Sequence, residues 1–118
     1  MQILKLNSVQ QNNTILLCTV YSSELINVDN IVRIEAMSSY SKIYFSNGKS
    51  LVVAKVLRWF EEKLSATKFI RIHRTHFVNK SFMQQYSNAG KVKLLSGEYI
   101  DVSRRRKKHF LQQWRAAS

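Results

Sequence analysis

The sequence predicts a mainly β domain with one internal amphipathic helix and one basic helix at the C-terminal end. Three observations carry this expectation. Most apolar residues fall in short runs rich in β-branched and aromatic side chains, bounded by turn residues. Asn47-Gly48 and Ser96-Gly97 each sit between two such runs, where a tight hairpin needs positive φ. Only two segments place apolar side chains at helical spacing.

The expected strands are 2–6, 14–20, 23–27, 31–36, 42–46, 49–53, 69–73, 76–79, 83–87, 91–95 and 98–102. Asn47-Gly48 joins Ile43-Tyr44-Phe45 to Leu51-Val52-Val53, and Ser96-Gly97 joins the run ending at Leu95 to the run from Tyr99. Asn88-Ala89-Gly90 marks a third turn. Lys91-Val92-Lys93-Leu94 alternates charged and apolar, as a strand with one wet face does. Between 54 and 64, Leu57, Phe60 and Leu64 recur at helical spacing, with Val56 beside them and charged residues opposite. From Arg104 to Arg115, Phe110, Leu111 and Trp114 form an apolar stripe on a basic segment, and Ser103 stands where a cap would.

The chain has 118 residues, read as a single domain over 1–118 that is large enough to bury a core. Its net charge is +12 and the excess is lopsided. Residues 1–62 carry six basic and five acidic side chains, whereas residues 63–118 carry thirteen and two. Such an imbalance points to a polyanionic partner. Cys18 is the sole cysteine, which excludes an internal disulfide or a Cys-rich metal site. It lies in the apolar run Ile15–Val20 and is expected to be a buried small hydrophobe. No run approaches a membrane span and no secretory leader is seen, so a reducing, cytoplasmic setting without membrane attachment is expected.

Enzymatic chemistry finds no foothold. There is no Gly-rich phosphate loop, no Gly-x-Ser-x-Gly and no His-Glu-x-x-His. His73 and His76, taken as one strand, would face opposite sides, so a shared metal is not expected. No cofactor is expected either. Trp59, Phe60, Phe69, Phe77, Phe110 and Trp114 are read as core, and Asn79 as a turn or cap.

Four stretches resemble the LytTR family, in order and in register over about residues 28–113. They are Val28-Asp29-Asn30-Ile31-Val32-Arg33-Ile34-Glu35-Ala36 followed by Tyr40, the helix segment from Val56 to Leu64, the long Phe69-Ile70-Arg71-Ile72-His73-Arg74-Thr75-His76-Phe77-Val78-Asn79, and Val102-Ser103-Arg104-Arg105. Ser39 stands where the family often has Asn, and Asp101 where it often has Pro. The resemblance implies an elongated stack of small antiparallel sheets whose loops enter successive major grooves of double-stranded DNA. It implies a sequence-specific transcriptional regulator, the output module of a bacterial two-component response regulator or a stand-alone member. The implied base contacts fall around Ser38, at Ser39, Ser41 and Lys42, at Arg74 and at Arg105. Tyr40, Arg71, His73, Asn79, Lys80, Arg104, Arg106 and Lys107 are implied to touch phosphate or brace the loops. Family members commonly pair on direct-repeat half-sites and carry a receiver domain upstream. No segment here reads as a receiver, so the chain is expected to be a fragment of a longer regulator or a stand-alone member.

The residues themselves suit that role. Arginine's planar fork can bond guanine O6 and N7 together. Three arginines at a helix start oppose the macrodipole, a conflict that a bound phosphate relieves. A domain binding RNA or another polyanion is the alternative reading; RNA modules rely on exposed aromatics, and Tyr40 is the chief one among the basic motifs.

Overall fold

Alternation in some of the apolar runs resolves into strands that bury every second residue, as at Ile15 and Leu17 or Val92 and Leu94. The computed structural model describes residues 13–116. Along the chain run β1 (Thr14–Cys18), β2 (Ser23–Asn27), β3 (Ile31–Met37), β4 (Tyr40–Phe45), β5 (Ser50–Val53), α1 (Leu57–Lys63), β6 (Phe69–His73), β7 (His76–Asn79), β8 (Met83–Ser87), β9 (Lys91–Leu94), β10 (Tyr99–Asp101) and α2 (Arg104–Ala116). The mainly β expectation with two helices holds. The strand expected at 2–6 lies outside the described residues.

Three antiparallel sheets form: β1-β2, β5-β4-β3-β7-β6 and β10-β9-β8. The five-stranded sheet is the middle layer of an elongated body measuring 50 × 29 × 24 Å. One of its faces, with β1-β2 and α1, encloses a core of Ile15, Leu17, Ile34, Ile43, Phe60, Phe69, Phe77 and their neighbours. The other face, with the three-stranded sheet and α2, encloses Val32, Ile70, Ile72, Val78, Val92, Leu94, Ile100 and Phe110. A sheet covered on both faces explains the unbroken apolar pairs Ile31-Val32, Phe69-Ile70 and Phe77-Val78.

Bulges set the phase of two strands. In β3 the register slips between Ile31 and Arg33, which lets Ile31 and Ile34, three residues apart, enter the same core. In β6 it slips between Arg71 and His73, and the carbonyl of the extra residue, Ile72, accepts the N–H of Ser103 at 2.9 Å. That bond seats the start of α2 against the middle sheet.

Asparagine starts two single-turn 3-10 helices. Asn27 Oδ1 accepts the Asp29 N–H, and Asn79 Oδ1 accepts the Ser81 N–H, each at 2.9 Å. Buried Asn79 also donates from Nδ2 to the Ile31 carbonyl at 2.8 Å, so its expected capping role is joined by a cross-strand tie.

Cys18 corrects an expectation. Ile15 and Leu17 take the inward positions of β1, which leaves Cys18 exposed with its Sγ 3.3 Å from Ser23 Oγ. The strand expected to reach residue 20 stops there, because Thr19 Oγ1 accepts the N–H groups of Tyr21 and Ser22 and closes a turn.

A buried charge joins the middle and three-stranded layers. Arg33, 6% exposed, donates to Glu98 Oε2 at 3.0 Å and to Glu35 Oε1 at 3.1 Å, with its guanidinium 3.8 Å from the Tyr44 ring centre. Burial works against its charge, but the bonds to Glu98 and Glu35 outweigh it and hold its pKa above the ordinary value. Glu98→Ala is expected to lower stability by about 1–3 kcal/mol, because it takes from a buried cation two of its three charge-assisted bonds. Arg33→Met should cost less, since both carboxylates are partly exposed and can turn to water. Urea midpoints of the two variants check the order.

Candidate nucleic-acid interface

Backbone hydrogen bonds bring three distant segments to one end of the molecule. The β3–β4 hairpin turns at Ser38-Ser39, with Met37 opposite Tyr40. The β6–β7 hairpin turns at Arg74-Thr75, with His73 opposite His76. Because β3 pairs with β7, the Ala36 N–H reaches the Thr75 carbonyl at 2.9 Å and the two turns stand side by side. They are two strand spacings apart, about 10 Å. The bond from Ser103 to the Ile72 carbonyl adds the start of α2 to this end. The Val102 N–H donates to the Gly90 carbonyl at 2.9 Å and brings the β8–β9 turn.

The side chains divide into those that project and those that brace. Ser39, Arg74, Arg104, Arg105 and Lys107 are exposed, and Tyr40 is half exposed. Lys42 is half-buried, its ammonium 5.1 Å from the Tyr44 ring centre. Arg106 is half-buried; burial and then its neighbours Arg71 and Arg105 push its pKa down. The ion pairs among the described residues employ Arg33, Lys68, Arg71 and Lys91, leaving the cations at 74, 104, 105 and 107 unneutralised.

Ser41 is a correction. It is fully buried, and its hydroxyl donates to the Lys55 carbonyl at 2.6 Å. It ties β4 to the segment entering α1 and presents no side chain to a ligand. The same contact places exposed Lys55 at this end, a cation that in the sequence is one of the charged residues opposite the apolar stripe of the 54–64 segment.

Four other residues brace. Arg71 donates from Nε to the His73 carbonyl at 3.1 Å and from Nη2 to the Arg74 carbonyl, while its Nη1 lies 2.5 Å from Glu61 Oε1 on α1. His73 Nδ1 accepts the Thr75 N–H at 3.2 Å and lies 2.8 Å from the Thr75 hydroxyl. Lys80 donates to the Ala66 carbonyl at 3.0 Å and to Gln113 Oε1 at 2.7 Å, pinning α2 to the loop before β6. Burial lowers its pKa. Asn79 is the buried tie described above.

His73 ends β6 and His76 begins β7, and their rings do not face opposite sides but meet across the turn with centres 5.5 Å apart. Burial pushes the His76 pKa down. Among the described residues no group of three or more His, Cys, Asp or Glu is placed to hold a metal. No helix among them is long and apolar enough to cross a membrane.

Loops clustered at one end of a stacked β body, tipped by unpaired guanidinium and ammonium groups, define a polyanion-binding module. The family comparison narrows the class. The model of the LytTr DNA-binding domain matches residues 21–115, and the chain belongs to that family. Among solved structures it is similar to the LytTr DNA-binding domain of a protein described as a methyl-accepting/DNA response regulator from Bacillus cereus. That likeness has a TM-score of 0.74 at 20% identity, over 86% of this chain and 96% of that one. It extends to the fold, including the stacked antiparallel sheets. No curated protein sequence matches.

Proposed function

We propose that this end of the domain reads double-stranded DNA in the major groove and that the chain serves transcriptional regulation, as the output of a bacterial two-component response regulator or as a stand-alone regulator in the cytoplasm. The observation that carries the reading is the convergence of the Ser38-Ser39 turn, the Arg74-Thr75 turn and the start of α2, each presenting unneutralised or polar side chains. A major groove about 12 Å wide admits a two-stranded ribbon, and each hairpin is one.

Within this reading Ser39, Lys42, Arg74 and Arg105 touch base edges. Tyr40, Arg104, Arg106 and Lys107 touch phosphate. Arg71, His73, Asn79 and Lys80 hold the loops. Pairing on direct-repeat half-sites would add affinity that a single domain lacks.

A gel-shift competition among a duplex, its separate strands and RNA of the same sequence tests the class. A preferred duplex is expected; equal binding to all three favours a general polyanion module. The division of roles has its own test. Arg74→Ala or Arg105→Ala should weaken the preferred duplex by roughly 5- to 150-fold while changing a scrambled duplex far less. Arg104→Ala or Lys107→Ala should weaken both alike and lower the salt slope by about 1. Equal losses on both duplexes for Arg105→Ala would place that arginine on phosphate.

A further inference from the structure

The Arg74 turn is held by a side chain that itself needs a partner. The Arg71 guanidinium spans the His73 and Arg74 carbonyls, and its remaining edge meets Glu61. Glu61 belongs to α1, whose Leu57 and Phe60 are locked into the core beneath the middle sheet. Arg106 of α2 lines the same surface cleft as Arg71 and Glu61. A carboxylate thus shares the cleft with two arginines, and the bonds of Arg71 carry its hold to the Arg74 turn.

We infer that Glu61 and Arg71 form a positioning clamp that fixes the Arg74 turn for sequence readout, so that an acidic side chain raises specific DNA affinity. The inference rests on the duplex-reading role proposed above. Its physical basis is geometric. Bidentate recognition of a base edge depends on where the guanidinium starts, and the carbonyl of Arg74 itself is one of the atoms held. Arginine is required at 71, because a single ammonium cannot bond two carbonyls and a carboxylate in the same fixed plane. Three of its donors are engaged within the protein, which suits Arg71 to bracing rather than to phosphate.

The sign of one substitution separates this from a bystander acid. If Glu61 were only a surface carboxylate, Glu61→Gln would remove repulsion and tighten binding to every duplex by the same factor. A clamp gives the opposite result at the preferred site. The test uses the 118-residue chain, a duplex selected from a random pool and a scrambled duplex of equal length, with binding read by anisotropy and folding by thermal melting. Glu61→Gln is expected to leave the scrambled duplex unchanged or tighter and to weaken the selected one at least about fivefold. Arg71→Lys should do the same. In an Arg74→Ala background Glu61→Gln should cause little further loss, since the group it positions is gone. A selected-to-scrambled ratio that Glu61→Gln leaves unchanged overturns the clamp, whether both affinities rise, fall or stay. If Arg71→Lys does not fold, Glu61→Gln decides alone, because its carboxylate lies at the surface edge. Failure of the wild-type chain to select any duplex refutes the duplex-reading role, and the clamp with it.

Discussion

Raising monovalent salt from 50 to 200 mM should weaken the duplex complex by about 150-fold, the expected loss for roughly four phosphate contacts. The distal half of the chain carries thirteen basic side chains against two acidic. Among the described residues, ion pairs occupy Lys68, Arg71 and Lys91 of that half, while Arg74, Arg104, Arg105 and Lys107 pair with no carboxylate. With Lys42, Arg74 and Arg105 given to base edges, Arg104, Arg106, Lys107 and Lys55 are left for about four phosphates. Each neutralised phosphate releases counterions and adds about −0.9 to the slope of log K against log salt. Anisotropy titrations at four or five salt concentrations give the slope directly. A slope of about −3.5 is expected; one shallower than about −1.5 would mean that this end does not meet the DNA backbone.

Phe110→Ala should carry the largest stability cost, about 3–5 kcal/mol. Phe110 is 1% exposed, with ring centres of Tyr86 at 5.2 Å and Trp114 at 5.9 Å. It is the residue by which α2 is fastened into the second core, so truncation leaves a cavity beneath the helix that carries Arg104 to Lys107. A domain of this size has about 5–15 kcal/mol in all, so the loss is a large fraction of it. DNA binding should fall as well, since the start of α2 loses its support. Denaturant unfolding of the variant beside Tyr21→Ser, at the 94% exposed tip of the β1–β2 hairpin, sets the scale; the latter should stay within about 0.5 kcal/mol of wild type.

Much of the architecture was legible because it is local. Strand periodicity, the Asn47-Gly48 and Ser96-Gly97 turns and the spacing of Leu57, Phe60 and Leu64 all express short-range rules, and the described elements follow them. The errors share one origin, the side of a strand that a residue faces. Cys18 sits one position out of phase with Ile15 and Leu17. Ser41 was placed in a projecting loop, although β4 already begins at Tyr40 and turns it inward. The two histidines, weighed for a metal as a pair on one strand although they fall in the separate runs 69–73 and 76–79, meet across a two-residue turn.

The site was legible only in pieces. Arg74 and Arg105 stood out by motif, but their shared end depends on the strand order β4-β3-β7-β6 and on the bulge that offers the Ile72 carbonyl to Ser103. Glu61 and Arg33 carried no sequence signal. Their partners lie 10 and 65 residues away, and such pairings follow from the layering of sheets rather than from spacing along the chain.

Titration of the 15N-labelled domain with its selected duplex, followed by amide chemical shifts, tests most directly where DNA docks. The expected result is a cluster of shifted amides at 38–42, 73–75 and 103–107, with the Asn47-Gly48 and Ser96-Gly97 turns unmoved. Shifts concentrated at those two turns, with 74 and 103–107 silent, would contradict the assignment.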